Sequence, residues 1–175
     1  MTTLHTPRLT LRHWRESDRD PWAALVADPV VMEFFPSTQD RPTADATFDR
    51  LSSALDERGW GLWAVDLEGE FIGFTGLAPV TIDVPFTGAT EVGWRFAAHA
   101  WGNGYATEAA RAAVDYAFGP LGLAELVSMT SVLNVRSQAV MERLGMTRDV
   151  ADDFEHPSVP EGSPLRPHVL YRLRS

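Results

Sequence analysis

The chain has 175 residues, of which 45% are hydrophobic and 22% are charged, and its formal net charge is -9. This length predicts one domain, residues 1–175, with a sizeable core, and the acidic balance argues against nucleic-acid binding, which needs a basic surface. The chain contains neither cysteine nor lysine, which excludes disulfides, thiolate metal sites, a cysteine nucleophile and a P-loop nucleotide hydrolase.

The hydropathy pattern gives no reason to expect contact with a membrane. The sequence has no run of about 18 apolar residues, the length that spans a bilayer, and its first residues lack the features of a signal peptide. We therefore expect a cytoplasmic protein.

Alternating and helical spacings of apolar residues predict the elements of the first half of the chain. A strand is expected over residues 6–14, a helix over 17–28, and a short helix or turn over 30–35. Thr43 is the predicted N-cap of a second helix, which ends at Gly59.

The second half of the chain alternates strands with helices. A hairpin is predicted from strands at 61–67 and 70–77, joined by a tight turn. The remaining predicted elements are strands at 90–96, 125–132 and 168–173, helices at 105–118 and 135–144, and loops at 79–88 and 147–167, the second of which could include a short strand. This order of elements predicts an α+β domain with a mixed sheet.

One stretch, residues 91–110, carries the first functional signal. Its pattern predicts a strand, a turn with Gly102 and Gly104, and a helix that begins near Tyr105. The unpaired N–H groups and the dipole of a helix N-terminus attract anions, and glycine lets a backbone approach a phosphate closely. The stretch therefore predicts a site for a phosphorylated ligand, with a plain strand-to-helix turn as the alternative.

Four local patterns along the chain resemble one enzyme family. They are Pro7-Arg8-Leu9-Thr10-Leu11-Arg12, Asp28-Pro29-Val30, the segment His99-Ala-Trp-Gly-Asn-Gly-Tyr-Ala-Thr-Glu-Ala, and the run from Asn134-Val-Arg-Ser137 to Glu142-Arg-Leu-Gly-Met146. In this order, and on matching elements, they resemble the GCN5-related N-acetyltransferase (GNAT) family. More narrowly, they resemble its RimJ/RimL-type members, which are ribosomal-protein N-terminal acetyltransferase-like.

The resemblance implies a GNAT-type acyl-CoA N-acyltransferase fold, in which helices flank a mixed, mostly antiparallel central sheet that is splayed at the acetyl-CoA site. It implies an acetyl-CoA-dependent N-acetyltransferase that modifies the primary amine of a protein N-terminus or a small molecule, by direct attack in a ternary complex. This reaction requires no metal. The expected partners are acetyl-CoA and an amine acceptor, without nucleic acid or membrane, and a homodimer stays open.

The family pattern also implies roles for individual residues. Glu91 would act as general base through a water, Ser137 as the acid for the leaving thiolate, and Asn134 would hold the pantetheine nearby. Backbone N–H groups around Phe96 and Ala97 would stabilise the oxyanion. The whole cofactor-binding set is predicted to be Phe96, Ala97, His99, Trp101, Gly102, Asn103, Gly104, Tyr105, Ala106, Thr107, Asn134 and Ser137.

Each of these roles has a structural alternative. Glu91 could be a solvated residue at a strand edge, Asn134 only a helix cap, and Ser137 an outward-facing helix residue. The chain also has His99 where the family has Gln or Arg, and Met141 where many members have a Tyr that acts as general acid. Two other hypotheses stay open: a non-catalytic acyl-CoA-binding or sensor domain of the same fold and, with a poorer fit, a dinucleotide-binding module.

The sequence does not identify the acceptor. We expect specificity to lie in the loops 28–42, 79–89 and 147–167, and the acidic composition favours a cationic amine or a basic N-terminus. Arg111 and Arg136 are expected to be solvated. The histidines that could line an acceptor pocket, none of which is assigned a role, are His13, His156 and His168.

Overall fold

Nine β-strands and four α-helices make up residues 2–175, the part of the chain that the computed structural model describes. The strands are β1 Leu4–His5, β2 Thr10–Arg12, β3 Leu62–Leu67, β4 Glu70–Pro79, β5 Thr90–Phe96, β6 Glu125–Ser131, β7 Thr147–Arg148, β8 Phe154–Glu155 and β9 Pro167–Arg174. The helices are α1 Arg19–Ala27, α2 Arg41–Arg58, α3 Tyr105–Phe118 and α4 Val135–Arg143.

The strands lie in the order β1-β2-β3-β4-β5-β6-β9-β7, with β8 beside β9. Adjacent strands are antiparallel except for β5 and β6, which run parallel. Helix α3 connects this parallel pair, because parallel strands need a long crossover rather than a hairpin. The predicted mixed, mostly antiparallel sheet flanked by helices is therefore confirmed.

Two predicted boundaries in the first half of the chain are wrong. The first strand is shorter than expected because the Thr6 N–H donates to the Leu9 carbonyl at 3.0 Å and the Leu9 N–H donates back to the Thr6 hydroxyl at 2.9 Å, which forms a turn. Helix α2 begins before Thr43. Its N-cap is Asp40, whose carboxylate accepts the Thr43 N–H at 3.0 Å.

The predicted hairpin of β3 and β4 is confirmed. Its turn residues Glu68 and Gly69 have φ values of 53° and 93°, the left-handed pair that matches the twist of the flanking strands. On β4, Gly76 has a φ of 150°, and a Cβ at this position would lie 2.0 Å from the Gly61 carbonyl oxygen. Only glycine therefore allows β4 and the start of β3 to approach so closely.

Residues 147–167, predicted to be a long loop that could include one short strand, contain two short strands. Strands β7 and β8 both pair with β9, and the 3-10 turn Val150–Asp152 lies between them. Ion pairs hold the segment in place: Arg172 contacts Asp152 at 2.8 Å, and Arg148 pairs with Asp153. The local pattern could not predict this order because the pairing partner, β9, comes later in the chain.

Two kinds of contact build the core around the sheet. Helices α1 and α2 pack through aromatic rings, in which the Trp14 centroid lies 5.5 Å from that of Trp22 and 5.3 Å from that of Phe48. Helix α3 instead packs through small side chains that are fully buried, namely Ala109, Ala110, Ala113 and Ala117. These alanines let α3 lie close to β4 and β5, which fixes its N-terminus beside the end of β5.

Replacing Gly76 tests the close approach of the two strands. Gly76→Ala should lower the free energy of unfolding by about 3 kcal/mol or more, because the new Cβ overlaps a backbone oxygen and φ is unfavourable. Gly69→Ala is the matched control. It also has a positive φ, but no atom of the described residues lies within 4 Å of its Cβ position, so about 1 kcal/mol is expected. Urea unfolding measures both, and equal losses would contradict the close approach.

Candidate functional site

Strands β5 and β6 form a wedge-shaped gap in the middle of the sheet. Within the described residues they pair at one position, Glu91 with Val127, although each strand is seven residues long. On its other side β5 stays paired with β4 from Thr90 to Phe96. The β5 backbone groups that face β6 can therefore bind an extended ligand by strand-like hydrogen bonds.

The hydrogen-bond alternation between β4 and β5 decides which N–H groups face the gap. The Ala97 N–H donates to the Ile72 carbonyl at 3.0 Å, so it points toward β4 and its predicted role as an oxyanion donor is wrong. Neighbouring residues of an antiparallel strand point their N–H groups to opposite edges, so the Phe96 N–H faces the gap. The Phe96 carbonyl accepts the Trp101 indole N–H at 2.9 Å, which occupies the last acceptor of β5.

The turn after β5 exposes the N-terminus of α3, as predicted. Gly102 and Gly104 have φ values of 80° and 79°, and α3 begins at Tyr105. The N–H groups of Tyr105, Ala106 and Thr107 find no acceptor among the described residues, whereas the next one, of Glu108, donates to the Gly104 carbonyl at 3.0 Å. These unpaired donors and the helix dipole form a cradle for an anion.

An ion pair from the first part of the chain holds this cradle in place. The Arg8 Nε donates to the Glu108 carboxylate at 2.7 Å, and its Nη1 donates to the Asn103 carbonyl at 3.0 Å. Burial opposes ionisation of Glu108, but hydrogen bonds from Thr6 and Arg8 prevail and hold its pKa below the usual value. Arg8 belongs to the first of the four family-like patterns, but no local pattern predicts its contact with α3, which lies about 100 residues further along the chain.

The polar side chains predicted in the turn lie there, but they bond to the protein itself. The Asn103 amide donates to the carbonyls of Ala100 and Trp101 at 3.3 and 3.1 Å, which braces the turn. The His99 side chain is exposed, and its Nε2 lies 3.5 Å from the Glu70 carboxylate. The backbone of the cradle, rather than the side chain of His99, therefore carries the donors for an anion.

Glu91 lines a cavity of about 340 Å³ at the paired end of the gap. Burial raises the pKa of its carboxyl to about 7, and a hydrogen bond from the Met129 backbone offsets part of that effect. Asn134, His156 and His168 line the same cavity. The site thus combines Glu91 with Asn134, as predicted, and adds two histidines that were not assigned a role.

Asn134 and Ser137 interact directly at the start of α4. The Asn134 side-chain oxygen Oδ1 accepts the Ser137 N–H at 3.2 Å, so Asn134 is the N-cap of α4, which was the alternative to a purely cofactor-binding role. Its amide also donates to the Ser137 hydroxyl at 3.2 Å and to the Thr130 hydroxyl at 3.0 Å. Because the Ser137 oxygen accepts this bond, its own proton stays available for donation.

The two cavity histidines, His156 and His168, carry their proton on different ring nitrogens when neutral. The His168 Nδ1 lies 3.0 Å from the Arg166 carbonyl, which can only accept, so Nδ1 carries the proton and Nε2 is an acceptor. The His156 Nδ1 accepts the Ser158 N–H at 3.2 Å, so its Nε2 carries the proton. Burial lowers the pKa of both rings, whose centroids lie 4.7 Å apart. The rings come from a loop and the last strand, so no local pattern could pair them.

Arg136 and Arg111 are exposed, as predicted, and each also makes a specific contact. The Arg136 guanidinium lies 4.6 Å from the Trp101 ring centroid and 2.6 Å from the Glu33 carboxylate, so it links α4 to both the turn and the α1–α2 segment. Arg111 donates to the Arg143 carbonyl at the end of α4 at 2.6 Å. Both arginines therefore fix α4 relative to the cradle.

Comparison with known proteins agrees with this geometry. Residues 8–147 match the acetyltransferase (GNAT) domain family. The chain belongs to the GNAT acetyltransferase family. It is 40% identical over 153 residues to the FsC-acetyl coenzyme A-N(2)-transacetylase of Aspergillus fumigatus, a match that covers 83% of this chain and 65% of that protein.

Solved structures share the whole GNAT fold. An acetyltransferase from Agrobacterium tumefaciens is 33% identical, with a TM-score of 0.79 over 100% of this chain and 95% of that one. Mycobacterium smegmatis RimJ, solved in complex with CoA-disulfide, is 20% identical, with a TM-score of 0.75 over 99% of this chain and 86% of that one, which shows the fold alone. The predicted GNAT fold and N-acetyltransferase class are confirmed.

Substitution in the cradle should weaken acetyl-CoA binding. A side chain in Gly104→Val would strain a left-handed residue and fill the space that a phosphate needs, so the affinity should fall about tenfold or more. Gly122→Val is the matched control, because Gly122 is also left-handed, with a φ of 62°, and lies in the turn after α3. Calorimetric titration with acetyl-CoA measures both variants, and an equal loss in both would refute the cradle.

Proposed function

We propose that the protein is an acetyl-CoA-dependent N-acetyltransferase in which Glu91 prepares a primary amine for direct attack in a ternary complex. The observation that carries this proposal is the Glu91 carboxyl, which lies in a cavity at the open gap of the sheet and has a pKa raised to about 7. A general base works best when its pKa lies near the working pH.

The gap and the cradle fit the two parts of acetyl-CoA. The unpaired N–H groups of Tyr105, Ala106 and Thr107 would receive the pyrophosphate, and the open edge of β5 would receive the pantetheine arm. Asn134, whose amide borders the same cavity, would hold the arm from the side of α4. When bound, acetyl-CoA supplies the acetyl thioester.

The proton route starts at the acceptor amine. Glu91 would take the ammonium proton, directly or through a water, which leaves a neutral nucleophile. An α-amine, with a pKa of about 7.7–8.0, matches a base near 7 better than a lysine amine near 10.4 does. This difference favours an N-terminal or other weakly basic amine as the acceptor.

The leaving thiolate has a candidate donor on α4, whereas the Phe96 N–H would bind the cofactor rather than the oxyanion. Phe96 lies five residues from Glu91, about 16 Å along the strand at about 3.3 Å per residue, so its N–H, which faces the gap, would hold the pantetheine arm. The Ser137 hydroxyl, whose oxygen is held by Asn134, would protonate the leaving thiolate. Met141 cannot perform this step, because it is 1% exposed in the core and has no acidic proton.

The finer assignment is a RimJ/RimL-type acetyltransferase. Its support is the Ser137 pattern together with the fold shared with RimJ at low identity. The name of the Aspergillus relative specifies transfer to an N(2) atom, which is consistent with a nitrogen acceptor here. The match covers 65% of that relative, so the activity of the whole relative is not assigned to this chain. No helix of residues 2–175 is long and apolar enough to cross a membrane.

The alternative function, an acyl-CoA sensor without catalysis, is favoured by one observation, namely Met141 in place of a tyrosine acid. A sensor would bind acetyl-CoA without transferring the acetyl group. A dinucleotide-binding module fits poorly, because the cradle follows the fifth strand of a mostly antiparallel sheet rather than the first strand of a βαβ unit.

The pH dependence of acetyl transfer tests Glu91 as the base. For wild type, kcat/KM should rise as the pH increases through about 7, where Glu91 loses its proton, and Glu91→Gln should lower kcat about a hundredfold or more. Steady-state assays with amino-terminal peptides measure both quantities. Glu161→Gln, at an exposed position, is the control and should keep the wild-type profile. A wild-type rate and profile in Glu91→Gln would remove Glu91 as base.

Thermal unfolding of the same variant gives a second, independent readout. Because the pKa of Glu91 is raised in the folded protein, ionisation of its carboxyl lowers the free energy of unfolding, and this loss is complete above about pH 7. The loss is absent at a pH low enough to protonate the carboxyl in both the folded and the unfolded protein. Glu91→Gln should therefore melt at a higher temperature than wild type at about pH 8, and the difference should vanish near pH 4. Identical melting curves at about pH 8 would show that Glu91 is not buried as described.

A further inference from the structure

Arg95, on β5, is a half-buried cation whose Nε is buried without a partner. Its Nε is inaccessible to solvent and makes no hydrogen bond, and none of residues 2–175 forms an ion pair with its guanidinium. The guanidinium carbon lies 4.0 Å from the Phe35 ring centroid, 5.7 Å from that of Phe74 and 6.0 Å from that of Trp22. Ring faces attract a cation, but they do not replace the hydrogen bonds of its N–H groups.

Such an arrangement is costly for the folded protein. Burial alone lowers the pKa of Arg95 to about 10, which shows how strongly its surroundings disfavour the charge. Buried charges in proteins are normally paired, and a residue that weakens the fold is retained most readily where a ligand needs it. The missing partner is therefore expected to arrive with a ligand.

Arg95 borders a cavity of about 590 Å³ between β5 and the α1–α2 segment. Gln39 lines the same cavity, and its side-chain oxygen is also buried without a partner. Because the oxygen is buried, the NH₂ at the other end of the amide is the part that a ligand in the cavity can reach. Arg95 and Gln39 both present donors to this cavity, as an anionic group requires.

The carboxylate at the other end of this cavity does not neutralise Arg95. Asp40 is exposed, and it caps α2 by accepting the Thr43 N–H at 3.0 Å. Hydrogen bonds from Thr43 keep the pKa of Asp40 below its usual value, so it stays ionised in that role. The cavity therefore has a cationic inner end and an anionic rim.

The position of Arg95 ties this cavity to the proposed catalytic base. Arg95 follows Glu91 by four residues on the same strand, so both side chains lie on one face of β5, about 13 Å apart at about 3.3 Å per residue. The two cavities also share Phe35 and Pro36 as a common wall. One molecule could therefore place an amine at Glu91 and an anionic group at Arg95.

We infer that Arg95 binds a carboxylate of the acceptor, so that the substrate is an amine with a carboxylate about 10–13 Å from the reacting nitrogen. The planar guanidinium can donate two parallel hydrogen bonds to a carboxylate, with the Gln39 amide beside them. An extended peptide of about three to four residues has this length between its α-amine and its terminal carboxylate. The inference rests on the proposed function for the amine end.

Glycine peptides of graded length test this pairing without any other side chain. Peptides of about two to five residues would be prepared both as free acids and as carboxyl-terminal amides. Calorimetric titration in the absence of acetyl-CoA should show that the acid binds at least about tenfold more tightly than the amide, with the best fit near three to four residues. Equal affinity of acid and amide at every length, or no binding of either, would overturn the inference.

Arg95→Met is the decisive variant, because it keeps an unbranched, flexible side chain and removes the guanidinium with its charge. It should abolish the preference for the acid and should also raise the melting temperature of the free protein, since an unpaired, half-buried cation is lost. Arg50→Met is the matched control: Arg50 is exposed, forms no ion pair within the described residues, and should leave the preference unchanged. An undiminished preference in Arg95→Met would overturn the inference.

Mass spectrometry of the same peptides after incubation with acetyl-CoA separates this inference from the proposed function. Tighter binding of the acid than of the amide, lost in Arg95→Met, would support the carboxylate site even if no peptide were acetylated. The absence of acetylation would instead count against the acetyltransferase proposal for these amines. Acetylation of acid and amide at equal kcat/KM in wild type would support the acetyltransferase and overturn the role of Arg95.

Discussion

The separation of β5 from β6 is the constraint on which the rest of the site depends. The two strands pair at Glu91 and Val127 and then diverge, which leaves polar backbone groups of β5 without a neighbouring strand in the middle of the sheet. Unpaired backbone groups are costly inside a protein, so a gap of this kind favours a ligand that can hydrogen bond like a strand. The gap ends at the cradle on one side and at the Glu91 cavity on the other, so one extended molecule can reach both.

Several long-range contacts keep the gap open and the cradle in register. Arg8 ties the start of the chain to Glu108 on α3, and Arg136 links α4 to Trp101 and Glu33. The alanine face of α3 holds that helix close to the sheet, which sets the position of its N-terminus. The cradle is therefore held by packing and ion pairs outside it, and its own residues stay free to contact a ligand.

Burial disfavours the charged forms of two side chains on one face of β5, Glu91 and Arg95. The environment of Glu91 raises its pKa to about 7, and that of Arg95 lowers its pKa to about 10, in each case because the charged form is poorly solvated. Neither arrangement favours folding, and such losses are typical of functional sites, where activity opposes stability. Both fit a substrate that brings a proton to one residue and a negative charge to the other.

The sequence by itself determined the order of elements, the β3–β4 hairpin, the glycine turn before α3 and the cap at Asn134, because each depends on residues close together in the chain. It also predicted the cradle, which belongs to one strand–turn–helix unit, and its resemblance to the family predicted Glu91 as the base. Only the tertiary structure decided that the Ala97 N–H faces β4, that His156 and His168 meet in the Glu91 cavity, and that Arg95 lacks a partner. Hydrogen-bond direction between strands, contacts between distant segments and the burial of a charge are properties of the packed chain, so no local pattern encodes them.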